Sequence, residues 1–321
     1  MKSAFMTVAI SIIVAVGSGA ATGQRYPTKP IRLVVGSAPG SGPDIMARLI
    51  GHKLTEAWGQ QVVVDIRGGA SGAIGAEIVA KATPDGYTLL MLTSNHVIVA
   101  ALFGKRHYDL LRDFSPVSLL ASTPFVLTVN HSVPARSVQE LIAFAKASPG
   151  KLNYGSGGLG SAPHLATEIL KTMTGIDVVH VPYKGITPAL ADTIAGQVQF
   201  TIAVIPAVLP LIKTGRLKGL GVTSLKRTPL LPDLPTIADS VPGCEVIGWY
   251  SLVVPASTPN SIISKLNAEA VKALRTPELQ ERISGLGAEP IGSTPEQLAS
   301  HLRVQLEKLQ RAAKAAGLRR E

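Results

Sequence analysis

The chain has 321 residues, of which 46% are hydrophobic and 16% charged, with 31 Gly and 23 Pro. That describes a turn-rich globular protein too long for a single core, and it excludes a fibre or a disordered chain. Aromatic residues make up only 4%, and the net charge of +10 comes from dispersed Lys and Arg, so neither a base-stacking surface nor a basic nucleic-acid stripe is present in the sequence.

Cys244 is the only cysteine, which rules out an internal disulfide and a Cys-ligated metal cluster. The seven histidines show no HExxH-like spacing, so no metal or other cofactor is expected.

In chain order, Lys2 precedes an apolar stretch over residues 4–16 and then the small residues of 17–23. This reads as a secretory signal peptide, residues 1–23, because the apolar stretch is shorter than the roughly 20 residues that span a bilayer. No Cys lies near it, so lipid attachment there is not expected.

From Ile31 onward, short β-branched runs alternate with helical periodicity, the pattern of an α/β fold with crossover helices. Ile31–Val35 is predicted as a strand, followed by a glycine-rich turn and a helix with apolar Ile45, Met46, Leu49, Ile50 and Leu54. Val62–Ile66 is a second strand, then come a loop at 68–72, a helix to about residue 82 and a strand at Thr88–Thr93.

Two strand-like runs, 117–121 and 125–129, follow Asp113, with Pro124 marking a break between them and the exit from a first lobe. A second series then predicts a helix at Val138–Ala147, a strand at 152–154, a glycine loop and a helix over 161–174. It continues with a strand at 178–181, a helix opened by Thr187-Pro188, and strands at Phe200–Val204 and 220–223. Thr276-Pro277 and Thr294-Pro295 are further helix starts, because Thr caps and Pro presets the first turn. The run 245–254 carries the chain back, giving one lobe of residues 24–123 and 250–321 and a second of 124–249.

Two glycine loops lie between a strand and a helix, one over 38–44 and one over 154–161. A helix start offers unpaired N–H groups and a positive dipole end, and glycine lets a ligand approach the backbone, so anion binding is the natural use. The candidates are Gly40, Ser41, Gly42 and Asp44 in the first loop and Ser156, Gly157, Gly158, Gly160 and Ser161 in the second. Neither loop matches GxxxxGK[ST], and the first lacks a third Gly at GxGxxG spacing.

Asp44 is read as a helix cap ahead of a ligand contact, since a carboxylate repels an anion. Ser161 also caps its helix, whereas Ser156 is read as freer to donate a hydrogen bond. His164, one turn into the helix, is read as packing or capping rather than as an acid or base.

The segments Tyr26-Pro-Thr-Lys-Pro30, Pro84-Asp-Gly-Tyr-Thr-Leu-Leu90, Asn153-Tyr-Gly-Ser-Gly-Gly-Leu-Gly-Ser161 with His164-Leu165, His180-Val-Pro-Tyr-Lys-Gly185, Leu234-Pro-Thr-Ile-Ala238 and Trp249-Tyr250 resemble the Bug family. These are the TctC-type extracytoplasmic receptors of tripartite tricarboxylate transporters. The resemblance implies a two-lobed, Venus-flytrap periplasmic binding protein, type II-like, with a mixed sheet and flanking helices in each lobe.

It also implies a mono-, di- or tricarboxylate or an acidic amino acid held by the two loops, membrane permease subunits as partners, a monomeric state and no chemistry. Tyr183, in the His180 to Gly185 segment, joins the candidate set. Ser37, Ser41, Pro43, Ile66 and Gln199 depart from residues common in the family, which bears on ligand identity.

Two alternatives stand beside this reading: a sensory or orphan carboxylate receptor acting on a signalling partner, and a hydrolase using Ser156 and His164. The second lacks the GxSxG elbow and a placed carboxylate.

Overall fold

The computed structural model describes residues 26–104 and 108–315. The expected signal peptide lies outside these residues. Strands β1 (Ile31–Val35), β2 (Val62–Ile66) and β3 (Thr88–Thr93) are parallel, with β1 in the middle. Alternation along β1 sends Ile31, Leu33 and Val35 into one core and Val34 into another, so helices must cover both faces of this sheet.

The first core packs under α1 (Gly42–Trp58), α8 (Asn260–Leu274) and α9 (Pro277–Gly285) through Met46, Ile50, Leu54, Leu266 and Ile283. On the other face lie α2 (Ala73–Ala80) and α3 (Ser94–Phe103), with Val79, Val97 and Ile98 buried.

The sheet continues through β9 (Ile247–Pro255), antiparallel to β3, into β4 (Phe114–Val129). Beyond Pro124 the same strand joins a second sheet, pairing with β7 (Phe200–Val204) and β8 (Lys218–Val222). That sheet is completed by β5 (Leu152–Ser156) and β6 (Val178–Pro182), with β5 parallel to both β6 and β7. Its helices are α4 (Val138–Ala147), α5 (Ala162–Thr174), α6 (Ile186–Ala195) and α7 (Ile205–Lys213). A short strand β10 (Glu289–Pro290) edges β4 near residue 121, and α10 (Pro295–Ala315) packs on α3 and β4.

The two runs expected on either side of Pro124 are therefore one unbroken strand of 16 residues. Proline is accommodated because it stands where the partner changes: Pro124 lies opposite Ile247, and Phe125 opposite Val204. Thr223 secures the changeover, its Oγ1 accepting the Phe125 amide at 2.9 Å and its carbonyl accepting the Val246 amide at 3.1 Å.

Other expectations are adjusted at helix starts. Helix α6 opens at Ile186 with Gly185 at the N-cap, so Thr187 and Pro188 sit inside its first turn and do not begin it. Proline is tolerated there because first-turn amides lack an intrahelical partner anyway. Thr276 and Thr294 do stand at helix starts, and the Thr294 Oγ1 accepts the Gln297 amide at 3.2 Å.

Helices α3 and α7 were not anticipated. After Ser94-Asn95-His96 the rest of α3 is an apolar run with no polar face to read, and α7 carries Pro206 and Pro210. Cys244 is buried with a free thiol pushed up to about 11 by burial, as an inert core residue would be.

The Thr223 hydroxyl has a measurable role. Thr223→Val keeps the shape but leaves the buried Phe125 amide without its acceptor, and should lower unfolding free energy by about 1–3 kcal/mol in urea denaturation. An unchanged midpoint would show that the changeover does not depend on this hydrogen bond.

Candidate ligand cleft

Parallel strands deliver their C-terminal ends to one edge of a sheet, which is where open α/β sheets bind ligands. In the first sheet that edge carries the loop from β1 to α1, the loop 67–72 after β2, and the direct β3–α3 junction. In the second it carries the loops after β5 and β6 and the β7–α7 junction.

The two edges meet. The Ser71 hydroxyl donates to the Leu159 carbonyl at 3.3 Å, and the Ala162 amide donates to Asn95 Oδ1 at 3.0 Å. Gly160 packs against Phe103 of α3, a Cβ there lying 3.4 Å from the Phe103 ring. The 67–72 loop also packs on the residues that lead from β1 into the first glycine loop, since a Cβ on Gly36 would stand 2.7 Å from Gly72 Cα.

Within the first loop, much of the polar capacity is used internally. Asp44 is 3% exposed; its Oδ2 accepts the Gly40 amide at 2.8 Å, and its Oδ1 pairs with Arg48 Nε at 2.9 Å. Asp44 lies inside the first turn of α1, whose N-cap is Ser41, so in place of the expected helix cap it braces the turn through the Gly40 amide. Ser41 donates from both amide and hydroxyl to the Ala38 carbonyl, at 3.2 and 2.6 Å. The amides of Gly42 and Asp44, at the start of α1, find no acceptor among the described residues. Gly42 is required by crowding, because a Cβ would lie 2.4 Å from the Tyr250 hydroxyl.

In the second loop, Ser156 is 0% exposed, and its hydroxyl is not free as the sequence had suggested. Its Oγ accepts the Gly158 amide at 3.1 Å and lies 2.7 Å from His180 Nε2. Ser161 caps α5 by accepting the His164 amide at 3.4 Å. Gly160 donates to His164 Nδ1 at 3.3 Å, and Ser161 donates to the Gly158 carbonyl at 3.2 Å.

That leaves the amides of Gly157 and Leu159 without an acceptor among the described residues. Gly158 holds a φ of +116°, which side-chain-bearing residues rarely adopt, and a Cβ would come 3.2 Å from the Tyr183 carbonyl. Tyr183 touches this loop through its amide, which donates to the Ser156 carbonyl at 3.1 Å, while its hydroxyl donates to Asp192 at 2.6 Å.

Backbone contributes positive potential here. Arg48 and Arg67, the arginines nearest the two first-lobe loops in sequence, are ion-paired with Asp44 and Asp65. Helix N-termini with free amides attract an anion without a side-chain cation. No group of His, Cys, Asp or Glu among the described residues could hold a metal ion.

Sequence reasoning missed Ser71, Asn95, His96, His180 and Tyr250. A third glycine-rich turn at 68–72 and a polar Ser94-Asn95-His96 directly after a strand were the available signals.

His96, 1% exposed, accepts the Thr93 amide on Nδ1 at 3.0 Å, and burial pushes its imidazole down to about 4. The folded pKa lies below the unfolded value of 6.5, so the stability gained by keeping this ring neutral is full above pH 6.5 and is lost as pH falls toward about 4. Urea denaturation should show a loss on the order of 3 kcal/mol across that window. His96→Asn, which keeps an acceptor near the Nδ1 position, should reduce that slope.

Two mixed sheets sharing β4, with helix N-termini facing across their C-terminal edges, define a two-lobed α/β binding protein of the periplasmic type. Comparison with known proteins agrees. The sequence profile of the tripartite tricarboxylate transporter family receptor, TctC, matches residues 46–318, and the chain belongs to that family of periplasmic receptors.

BugT of Bordetella pertussis is 35% identical over 304 residues, covering 93% of each chain. The R. palustris protein Rpa4515, solved with adipate, is 40% identical with a TM-score of 0.86, over 91% of this chain and 98% of that one. MatC from Rhodopseudomonas palustris, with bound malate, is 30% identical with a TM-score of 0.82, over 89% and 99%. No helix among the described residues is long and apolar enough to cross a membrane.

Proposed function

We propose that this chain is exported by its N-terminal segment, residues 1–23, and captures a small organic carboxylate between two lobes for the membrane subunits of a tripartite transporter. The lobes are residues 24–123 with 250–321, and residues 124–249. The observation that carries this reading is the set of free backbone amides at Gly42, Asp44, Gly157 and Leu159, at strand-to-helix turns on the facing edges of the two sheets. Adipate and malate in two related structures support a carboxylate as the guest.

The side chains of the second loop act from behind. Ser156 and Ser161 shape the turn, His164 and Tyr183 hold it from the helix and from the neighbouring strand end, and Asp44 does the same for the first loop. The buried Ser156 hydroxyl offers no nucleophile to the cleft, which favours capture over hydrolysis.

Magnitudes are consistent with this. Two or three charge-assisted hydrogen bonds contribute about 1.5–3 kcal/mol each before ordering costs, while micromolar affinity needs about 8 kcal/mol. Closing the lobes over the ligand body supplies the remainder by burial.

A thermal-shift screen with mono-, di- and tricarboxylates, acidic amino acids and aromatic acids tests the proposal. A ligand at 100 times its Kd stabilises the native state by about 2.7 kcal/mol, enough to raise the Tm by a few degrees. Gly158→Val should weaken the best ligand at least about tenfold, because the backbone leaves its φ and the free amides turn away. If no member of the screen raises the Tm, carboxylate capture is wrong.

A further inference from the structure

We propose that His164 and His180, as neutral rings, are positioning residues that set the shape of the second glycine loop, so that loop order and the capture it serves diminish in acid. The link to capture rests on the function proposed above; the link to loop order does not.

Each ring holds the loop through a nitrogen. His164 Nδ1 accepts the Gly160 amide at 3.3 Å, and a ring nitrogen accepts only when it carries no proton. His180 Nε2 lies 2.7 Å from Ser156 Oγ, which in turn accepts the Gly158 amide at 3.1 Å. The two unpartnered amides, Gly157 and Leu159, alternate with these held positions, so their direction follows from them.

The rings are also held against each other. His164 and His180 stack with centroids 4.3 Å apart, and the stack continues from His180 to Tyr154 at 4.8 Å and from Tyr154 to Phe200 at 5.6 Å. The titratable and charged groups facing the pair are Tyr154 on β5 and Glu168 and Lys171 on α5, and the neighbour on β7 is the uncharged Phe200. Glu168 Oε1 is already engaged, accepting the Tyr154 hydroxyl at 2.6 Å and Lys171 Nζ at 2.9 Å.

A proton on either ring is disfavoured first by burial, and for His180 also by the adjacent His164; His180 is pushed down to about 4, and His164 is lowered as well. Once protonated, His164 presents an N–H to the Gly160 N–H, donor against donor. Protonated His180 must donate to Ser156 Oγ, which sends the hydroxyl proton to the Gly158 carbonyl, 3.2 Å away. The first change removes a hydrogen bond from the turn that the free amides occupy, and the second takes from Ser156 the option of donating to His180.

The test uses the ligand-free protein. Ring protonation of His164 and His180 is followed by NMR from pH 8 to 3.5, together with amide exchange at Gly158 and Gly160 corrected for its intrinsic pH dependence. Loop protection should fall about tenfold as these two rings titrate, whereas Leu90 in β3, reporting global opening, follows the loss set by His96.

His164→Asn places an amide oxygen near the Nδ1 position, and His180→Gln places an amide near Nε2; neither titrates. The double variant should reduce the acid loss to less than about twofold. Protection that stays constant or rises as the wild-type rings protonate overturns the proposal, and so does an equal acid loss in the double variant. Should the double variant fold poorly, the wild-type titration alone decides. A carboxylate screen without hits would leave this result untouched, so the two proposals fail separately.

Discussion

A helix cannot satisfy the amides of its own first turn, and every other property of this cleft depends on where those amides are left. In this chain they are left at the C-terminal edges of two sheets that face each other. The start of α1 presents Gly42 and Asp44, and the turn into α5 presents Gly157 and Leu159. Donors not spent within the fold suit a guest rich in acceptors, and preferably charged. At the proposed site, positive potential from dipole ends would favour an anion without dictating the remainder of the molecule.

The surrounding polar side chains serve this arrangement by removing competing donors. Asp44 takes up the Gly40 amide, Ser156 that of Gly158, His164 that of Gly160 and Asn95 that of Ala162. Each hydrogen bond is local, or spans the short gap between lobes, and each limits the directions in which the remaining amides point. The imidazole stack belongs to the same scheme. His164 is buried and His180 half-buried, and the pair is tolerable there because both rings have partners.

Strand β4 makes two sheets into one molecule. Its first part is ladder partner to β9 and its last five residues to β7 and β8, with Thr223 and Val246 tying the changeover. A shared strand keeps the lobes registered, and the facing loops touch at Ser71 to Leu159 and Asn95 to Ala162, while Ile98 and Leu102 of α3 share one core with Ala162 and Leu165 of α5.

Local chemistry in the sequence was enough to determine the α/β alternation, the strand–glycine–helix units, the capping role of Ser161 and the family resemblance, because period, turn residues and capping act over a few neighbouring positions. Pro124 was legible as special but not as the point where one strand changes partner, since its meaning depends on Ile247 and Val204, about 80 to 120 residues away. Helix α3 was hidden because, after Ser94-Asn95-His96, its remaining residues are an apolar run with no face to read. The role of Ser156 was misread for the same reason in another form: whether a hydroxyl is free depends on what lies beside it, and only the pairing of β5 with β6 brings His180 to 2.7 Å. Sequence determined which residue types were available to bind an anion; tertiary structure decided which amides were already spent, because hydrogen bonds are exclusive and their partners are set by contacts distant in the chain.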